Sequence, residues 1–224
     1  MKYLIVNADD FGLSPGVTRG ILEAHAGGIL TSTSLMVDAP ASEAGARGAR
    51  EAPRMSVGLH ADLPPALTDG GDDATARCGE ELERQLRRFI ELVGRSPTHM
   101  DSHHNVHRLP ALEPAFVEVA ARHGLPMREH SGARYFSKFY GQWSGKSHLE
   151  QVALESLVDM LEREVGEGLT ELSCHPGYAD IASGYSIERE AELRTLCDPR
   201  ASQAIDRLGI TLVSYHDYPH IAGR

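Results

Sequence analysis

Tyr3-Leu4-Ile5-Val6-Asn7-Ala8-Asp9-Asp10-Phe11-Gly12-Leu13-Ser14-Pro15 is the stretch on which the reading of this chain turns. It opens as a short apolar run, as a buried strand requires, and ends in two adjacent carboxylates before the backbone turns at Gly12. Ser14-Pro15 then starts a helix, because serine caps the free amides of a first turn and proline suits the first helical position. Consecutive side chains of a strand point to opposite faces. Asp9 and Asp10 can therefore serve one site only if something offsets their repulsion, and a bound cation is the commonest solution. The pair predicts a metal ligand beside a free base; the plainer alternative is a helix cap or a turn.

The same alternation continues along the chain. Strands are predicted at 2–8, 30–37, 55–60, 97–102, 125–128, 169–174 and 210–215, with helices at 16–26, 41–51, 79–94, 111–123, 147–166 and 187–207. Gly27-Gly28 closes the first helix and Gly124 the fourth. Strict alternation of about seven strands with helices implies an α/β fold of parallel strands and right-handed crossovers, as an open doubly wound sheet or a barrel. No Gly-x-Gly-x-x-Gly follows the first strand, which removes the main support for dinucleotide binding. Segments 61–78 and 129–146 lack periodicity and follow strand ends, where loops form the functional face of such folds.

Length and composition set the bounds. The 224 residues suit a single domain, and a formal net charge of -10 argues against nucleic acid or an anionic membrane surface as partner. A neutral or small substrate fits better. No apolar run reaches the roughly 20 residues of a membrane span, and Met1-Lys2-Tyr3 enters the first strand without a cleavable signal, so a cytoplasmic location is expected. Cys78, Cys174 and Cys197 are odd in number and lack metal-type spacing, which suits a reducing compartment. A homodimer is the expectation from symmetry statistics alone.

The 12 histidines carry the chemistry. His60 follows one predicted strand, His103, His104 and His107 another, and His175 a third, so separate strand ends deliver Asp or His to one rim. Catalytic divalent ions are commonly held by three Asp and His ligands with one position open to water. Asp10, His60 and one of His103, His104 and His107 would form that set. His103 is favoured as the third ligand. His107, four residues on, lies near it in substrate contact or behind a ligand, and His104 is a bystander. Asp101 is expected to orient a ligand histidine. Arg128 is either an ordinary exit-loop cation or the partner that keeps Asp9 ionised. Tyr135, Phe136, Phe139, Tyr140 and Trp143 cluster in the 129–146 segment, where they would form a sugar-stacking lid or simple packing.

Taken in order, Asn7-Ala8-Asp9-Asp10-Phe11-Gly12, Gly58-Leu59-His60, Asp101-Ser102-His103-His104-Asn105-Val106-His107, Pro126-Met127-Arg128 and Cys174-His175-Pro176-Gly177-Tyr178 resemble the YdjC-like carbohydrate deacetylases, also called chitooligosaccharide deacetylases. The resemblance runs from residue 3 to about 218. It implies a (β/α)-barrel-like fold with about seven strands, a divalent metal (Mg, Zn or Mn) held by Asp10, His60 and His103, and removal of an N-acetyl group from a sugar or chitooligosaccharide. By the same resemblance Asp9 is the general base and His175 the general acid; Tyr178 and Trp143 are expected behind the ligands or in contact with substrate. Asn105 departs from the pattern, since many members carry histidine there. A metal-activated water attacking an amide is chemically consistent with this set. The rival functions are a phosphoesterase on the same architecture, expected to carry more Lys and Arg at the rim, and a non-catalytic sugar or metal binder.

Overall fold

The computed structural model describes residues 1–68, 73–180 and 184–222. Its main sheet is built from β1 (Lys2–Phe11), β2 (Ser32–Leu35), β3 (Ser56–Ala61), β4 (Met100–Ser102) and β5 (Arg134–Phe136), while β6 (Gln142–Trp143) and β7 (Lys146–Ser147) form a separate antiparallel hairpin. β8 (Gly168–Cys174) and β9 (Ile210–Leu212) complete the main sheet. Hydrogen-bonded order is β4-β3-β2-β1-β8-β5, every pair is parallel, and the sheet curls into a half-barrel. One edge of β1 is shared: β9 pairs with Lys2 to Leu4 and β2 with Asn7 to Phe11, while β8 takes the other edge from Lys2 to Ala8.

The covering helices are α1 (Pro15–Gly27), α2 (Ser42–Glu51), α3 (Pro65–Thr68), α4 (Ala74–Val93), α5 (Glu113–Arg122), α6 (Leu154–Glu164), α7 (Ile187–Leu196), α8 (Pro199–Arg207) and α9 (Tyr218–Ile221). α1 starts as its sequence requires, with Ser14 accepting the Val17 amide and Pro15 in the first turn. None of the helices among the described residues is long and apolar enough to cross a membrane.

Period-two alternation sorts the sheet into two faces. Leu4, Val6 and Ala8 of β1, Val57, Leu59 and Ala61 of β3, and Leu172 and Cys174 of β8 join the hydrophobic core under the helices. The alternate residues Asn7, Asp9, Ser56, His60, Asp101, Glu171 and Ser173 are equally buried but turn inward. The inside of the half-barrel is therefore polar, and β1, β3, β4, β5 and β8 each bring a residue to the same rim.

Several predicted boundaries move. The 125–128 segment makes one isolated bridge, Met100 to Met127, rather than a strand. The missing strand comes from 129–146, read as irregular: it holds β5 and the β6–β7 hairpin, whose runs of two or three residues are too short to show a period. The long helix predicted at 187–207 is two, because Pro199 has no amide to continue α7 and Asp198 caps the new start through the Arg200 amide at 2.9 Å. The helix predicted at 147–166 begins as a separate turn, Leu149–Val152, before α6. In the 61–78 segment α3 and the start of α4 are observed, and 69–72 lie outside the described residues.

Candidate metal centre and active site

A cavity of about 590 Å³ opens at the C-terminal ends of the strands. Asp9, Asp10, His60, His103 and His175 all line it, together with Tyr135, Tyr140 and Arg189. How two adjacent aspartates reach one cavity is a matter of backbone. β1 runs past its predicted end to Phe11, and its pairing with β2 shifts register between Ala8 and Phe11. Within that bulge Asp10 sits at φ 69°, a left-handed conformation that Asp tolerates better than most residues at a cost of about 1–3 kcal/mol. The bulge turns Asp10 back to the side that Asp9 already faces.

Asp10 Oδ1 lies 3.3 Å from His60 Nε2 and 3.2 Å from His103 Nδ1, and the three atoms fall within 4.8 Å of one another. That buried oxygen has no hydrogen bond of normal geometry among the described residues. His60 Nδ1 donates to Asp101 Oδ1 at 2.7 Å, and Ser34 Oγ donates to the other Asp101 oxygen at 2.9 Å. Since an ionised carboxylate only accepts, Nδ1 carries a proton, and this contact fixes the ring so that Nε2 faces Asp10. Two imidazole nitrogens and a carboxylate oxygen converging in this way fit a divalent cation.

The electrostatics agree with that use. Burial pushes the Asp10 carboxyl up, but His103, His60 and the charge of Arg189 outweigh it and hold the group well below the usual range. Burial pushes the His60 imidazole down, and the Asp101 charge with the Asp10 contact reverses this to about 10. The pocket thus favours positive charge at Nε2, and a metal ion binding there would displace the proton.

A second trio, Asp9, His60 and Asp101, is also close enough to suggest a metal. Arg128 already supplies its cation. This arginine is fully buried; Nη1 donates to Asp9 Oδ2 at 2.8 Å and Nη2 to Asp9 Oδ1 at 2.7 Å. Its Nη2 also lies 2.8 Å from Asp101 Oδ2, and its Nε donates to Glu171 Oε1 at 2.9 Å. Of the two expectations for Arg128, pairing with Asp9 is the one observed. Asn7 Nδ2 adds a donor to Asp9 Oδ1 at 2.9 Å.

His175 Nε2 stands 3.9 Å from Asp9 Oδ2. Burial lowers its pKa, and the nearby Asp9 and Asp10 offset this only in part. Its loop packs onto α1, where Gly20 lets Gly177 approach: a Cβ there would fall 2.6 Å from the Gly177 Cα. Its backbone amide donates to Glu192, which also accepts the Tyr185 hydroxyl.

Other expected residues lie elsewhere. His103 and His107 do not share a helical face, because His104 and Asn105 between them are both left-handed, at φ 54° and 52°. His107 is buried away from the cavity lining, donating Nε2–H to Glu129 at 3.1 Å and accepting the Ser102 hydroxyl at Nδ1 at 2.7 Å. His104 and Asn105 do line the cavity. Tyr178 points at α1, its hydroxyl donating to Glu23 at 2.7 Å and its ring lying under Arg19. Trp143 follows Gln142, which lines the cavity, so strand alternation sends the indole to the opposite face, where it stacks on His148. Phe136 and Phe139 are core residues, whereas Tyr135 and Tyr140 face the cavity. Sequence reasoning missed Arg189, Glu192, Tyr185, Asn7 and Ser34. Asn7 was accessible to it, being two residues before Asp9 on the same strand face; the charged residues of α7 resemble an ordinary solvated helix.

The family model described as YdjC-like protein matches residues 3–207. A carbohydrate deacetylase of Geobacillus stearothermophilus is 36% identical over 250 aligned positions, spanning 97% of this chain and 98% of its own. A chitooligosaccharide deacetylase of Enterobacter sp. (strain 638) is also 36% identical, spanning 96% and 99%. Among solved structures, one from Enterococcus faecalis V583 described as a candidate cellobiose-phosphate cleavage protein superposes with a TM-score of 0.81 at 28% identity, covering 96% of this chain and 98% of that one. A family 4 carbohydrate esterase from Streptomyces lividans shares the fold, with a TM-score of 0.63 at 17% identity over 96% and 94% of the two chains. The match along the length of the chain and the similarity to both deacetylases place it in one family: this protein belongs to the YdjC-like family.

Proposed function

We propose that this protein is a metal-dependent carbohydrate deacetylase, a hydrolase that removes the N-acetyl group of an N-acetylated sugar or chitooligosaccharide. The observation that carries the reading is the division of labour at the end of β1. Asp10 offers a free oxygen to two histidine nitrogens, while both oxygens of Asp9 are held by Arg128. Asp10, His60 and His103 would hold the cation. When bound, it polarises the amide carbonyl and makes a water acidic enough to attack at neutral pH.

Asp9 removes the proton of that water, held and aimed by Arg128 and Asn7. His175 delivers a proton to the nitrogen of the departing amine. Burial keeps this imidazole neutral at neutral pH, so the proton is one it gains during turnover, and Asp9 at 3.9 Å is the adjacent carrier. Tyr140, half exposed and edge-on to His175, offers a face to the sugar ring. The phosphoesterase alternative lacks a free cation: the arginine among the described lining residues, Arg189, is paired with Asp10.

The test is acetate release from N-acetylglucosamine, chitobiose and longer oligomers with several divalent ions. Chelation should abolish release and added metal restore it. Release that survives complete removal of metal would overturn the reading.

A further inference from the structure

Helix α7 buries charge instead of apolar side chains toward the site. Glu188, Arg189 and Glu192 are at most 5% exposed, and each contacts a different part of the rim. Glu188 accepts from Gln142 and Ser147 of the hairpin. Glu192 accepts the amide of His175. Arg189 bridges two groups of the site: Nη2 donates to Asp10 Oδ2 at 2.6 Å, and Nη1 donates to the His175 carbonyl oxygen at 3.3 Å. Its own carbonyl accepts the Gly177 amide at 3.2 Å.

We propose that Arg189 is the positioning residue of the metal site: by holding Asp10 Oδ2 it keeps Oδ1 on His60 and His103, and by holding the His175 carbonyl it ties that loop to the same carboxylate. The inference rests on the metal-dependent reading above. Asp10 needs such a clamp because it occupies a bulge in a left-handed conformation, where regular strand geometry does not set the direction of its side chain.

Two effects of the guanidinium on a bound cation have opposite signs, and this makes the role testable. Its charge repels the ion and weakens binding, whereas its grip on Asp10 strengthens binding by fixing the ligand. If only charge mattered, Arg189→Met would bind metal more tightly and Arg189→Lys would match the parent. If positioning dominates, Arg189→Met should bind about 10- to 100-fold more weakly, the usual loss when a group supporting a metal ligand is removed. Arg189→Lys should also weaken binding, since an ammonium cannot hold two acceptors in the fixed geometry of a guanidinium.

The experiment is calorimetric titration of Zn²⁺, and separately Mn²⁺, into the metal-free parent, Arg189→Met, Arg189→Lys and Arg189→Ala, the last with and without methylguanidinium. Weaker binding in Met and Lys, with affinity recovered in the Ala variant by methylguanidinium, is expected. Unchanged or tighter binding in Arg189→Met overturns the proposal while leaving the deacetylase reading intact. A parent that binds neither ion overturns both. Should the Met variant fail to fold, Arg189→Lys decides: parent-like affinity refutes the positioning role.

Discussion

Asp9→Asn separates the two aspartates most sharply. Asparagine keeps the shape of the side chain and one oxygen, but places an NH₂ where Arg128 or Asn7 now donates. At least one charge-assisted hydrogen bond to a fully buried guanidinium is lost, about 1.5–3 kcal/mol. The cost stays below the 3–5 kcal/mol typical of a stripped buried pair, because Asp101 and Glu171 continue to hold Arg128. For a chain of this length that corresponds to a melting temperature lower by roughly 3–12 °C, so the variant should remain folded at 25 °C. Activity should suffer far more. A general base contributes about 10²- to 10⁴-fold, equivalent to roughly 3–5 kcal/mol in the barrier. Acetate release under saturating metal should fall by that factor, while calorimetric metal affinity stays within about tenfold of the parent, since Asp9 is outside the Asp10, His60 and His103 set. Asp10→Asn should show the reverse order, with metal binding failing first. Full activity in Asp9→Asn, or a loss of metal as deep as in Asp10→Asn, would refute the assignment.

Three further outcomes are expected. Tyr140→Ala should raise KM for chitooligosaccharide with little change in kcat if the ring stacks on the sugar as proposed; a kcat loss at unchanged KM would place it in the chemistry instead. Gly58→Ala would set a methyl 2.5 Å from the buried His99 ring, itself stacked on Tyr215, and should destabilise the fold by about 1–3 kcal/mol of overpacking, seen as a lower melting temperature in calorimetry. Glu192 makes the metal-free protein less stable toward alkaline pH. Burial first, against the hydrogen bonds from Tyr185 and His175, raises its pKa from the ordinary 4.5 to about 8. A carboxyl raised on folding binds its proton more tightly in the native state, so its contribution is complete below pH 4.5 and fades as pH rises to about 8. Glu192→Gln should flatten that part of the denaturation profile, and an unchanged slope across this window would contradict the raised pKa.

Much of the fold was legible because long apolar strands and amphipathic helices carry a period. β1, β3, β8 and helices α1, α2, α4, α5 and α6 lie close to their predicted positions, since each offers several turns or alternations to read. Elements defined by contact and not by pattern were hidden. β5 has three residues and exists because it lies against Thr170 to Leu172 of β8, a pairing no local sequence announces. The break between α7 and α8 was, by contrast, written in Asp198-Pro199 and overlooked beneath a continuing helical pattern.

The site divides along the same line. Residues at strand ends were placed by their strands, which is why Asp9, Asp10, His60, His103 and His175 meet in one cavity. Spacing failed at His103 to His107, where two left-handed residues break both the helical and the strand period, and at Trp143, where one residue of alternation turns the ring away. α7 was opaque for a different reason. A helix that buries Glu188, Arg189 and Glu192 together with Leu193 and Leu196 while exposing Ile187 shows no single apolar face, and that face is what helical burial is inferred from.

Arg189 of α7 also bears on the charge balance of the two aspartates. Adjacent carboxylates at a strand end called for a cation to offset their repulsion, yet two guanidiniums already do so: Arg128 on Asp9 and Arg189 on Asp10. Charge balance alone therefore no longer demands a metal. What still supports one is the asymmetry of the two grips. Arg128 is bidentate and engages both oxygens of Asp9, which suits a fixed base; Arg189 engages Oδ2 of Asp10 and leaves Oδ1 facing two imidazole nitrogens. A buried carboxylate oxygen held 3.2–3.3 Å from two such nitrogens, with Asp101 orienting one of the rings from behind, fits the proposed ligand set better than a mere remedy for repulsion. The metal assignment now rests on geometry, and it would survive the finding that the arginines alone stabilise the aspartate pair.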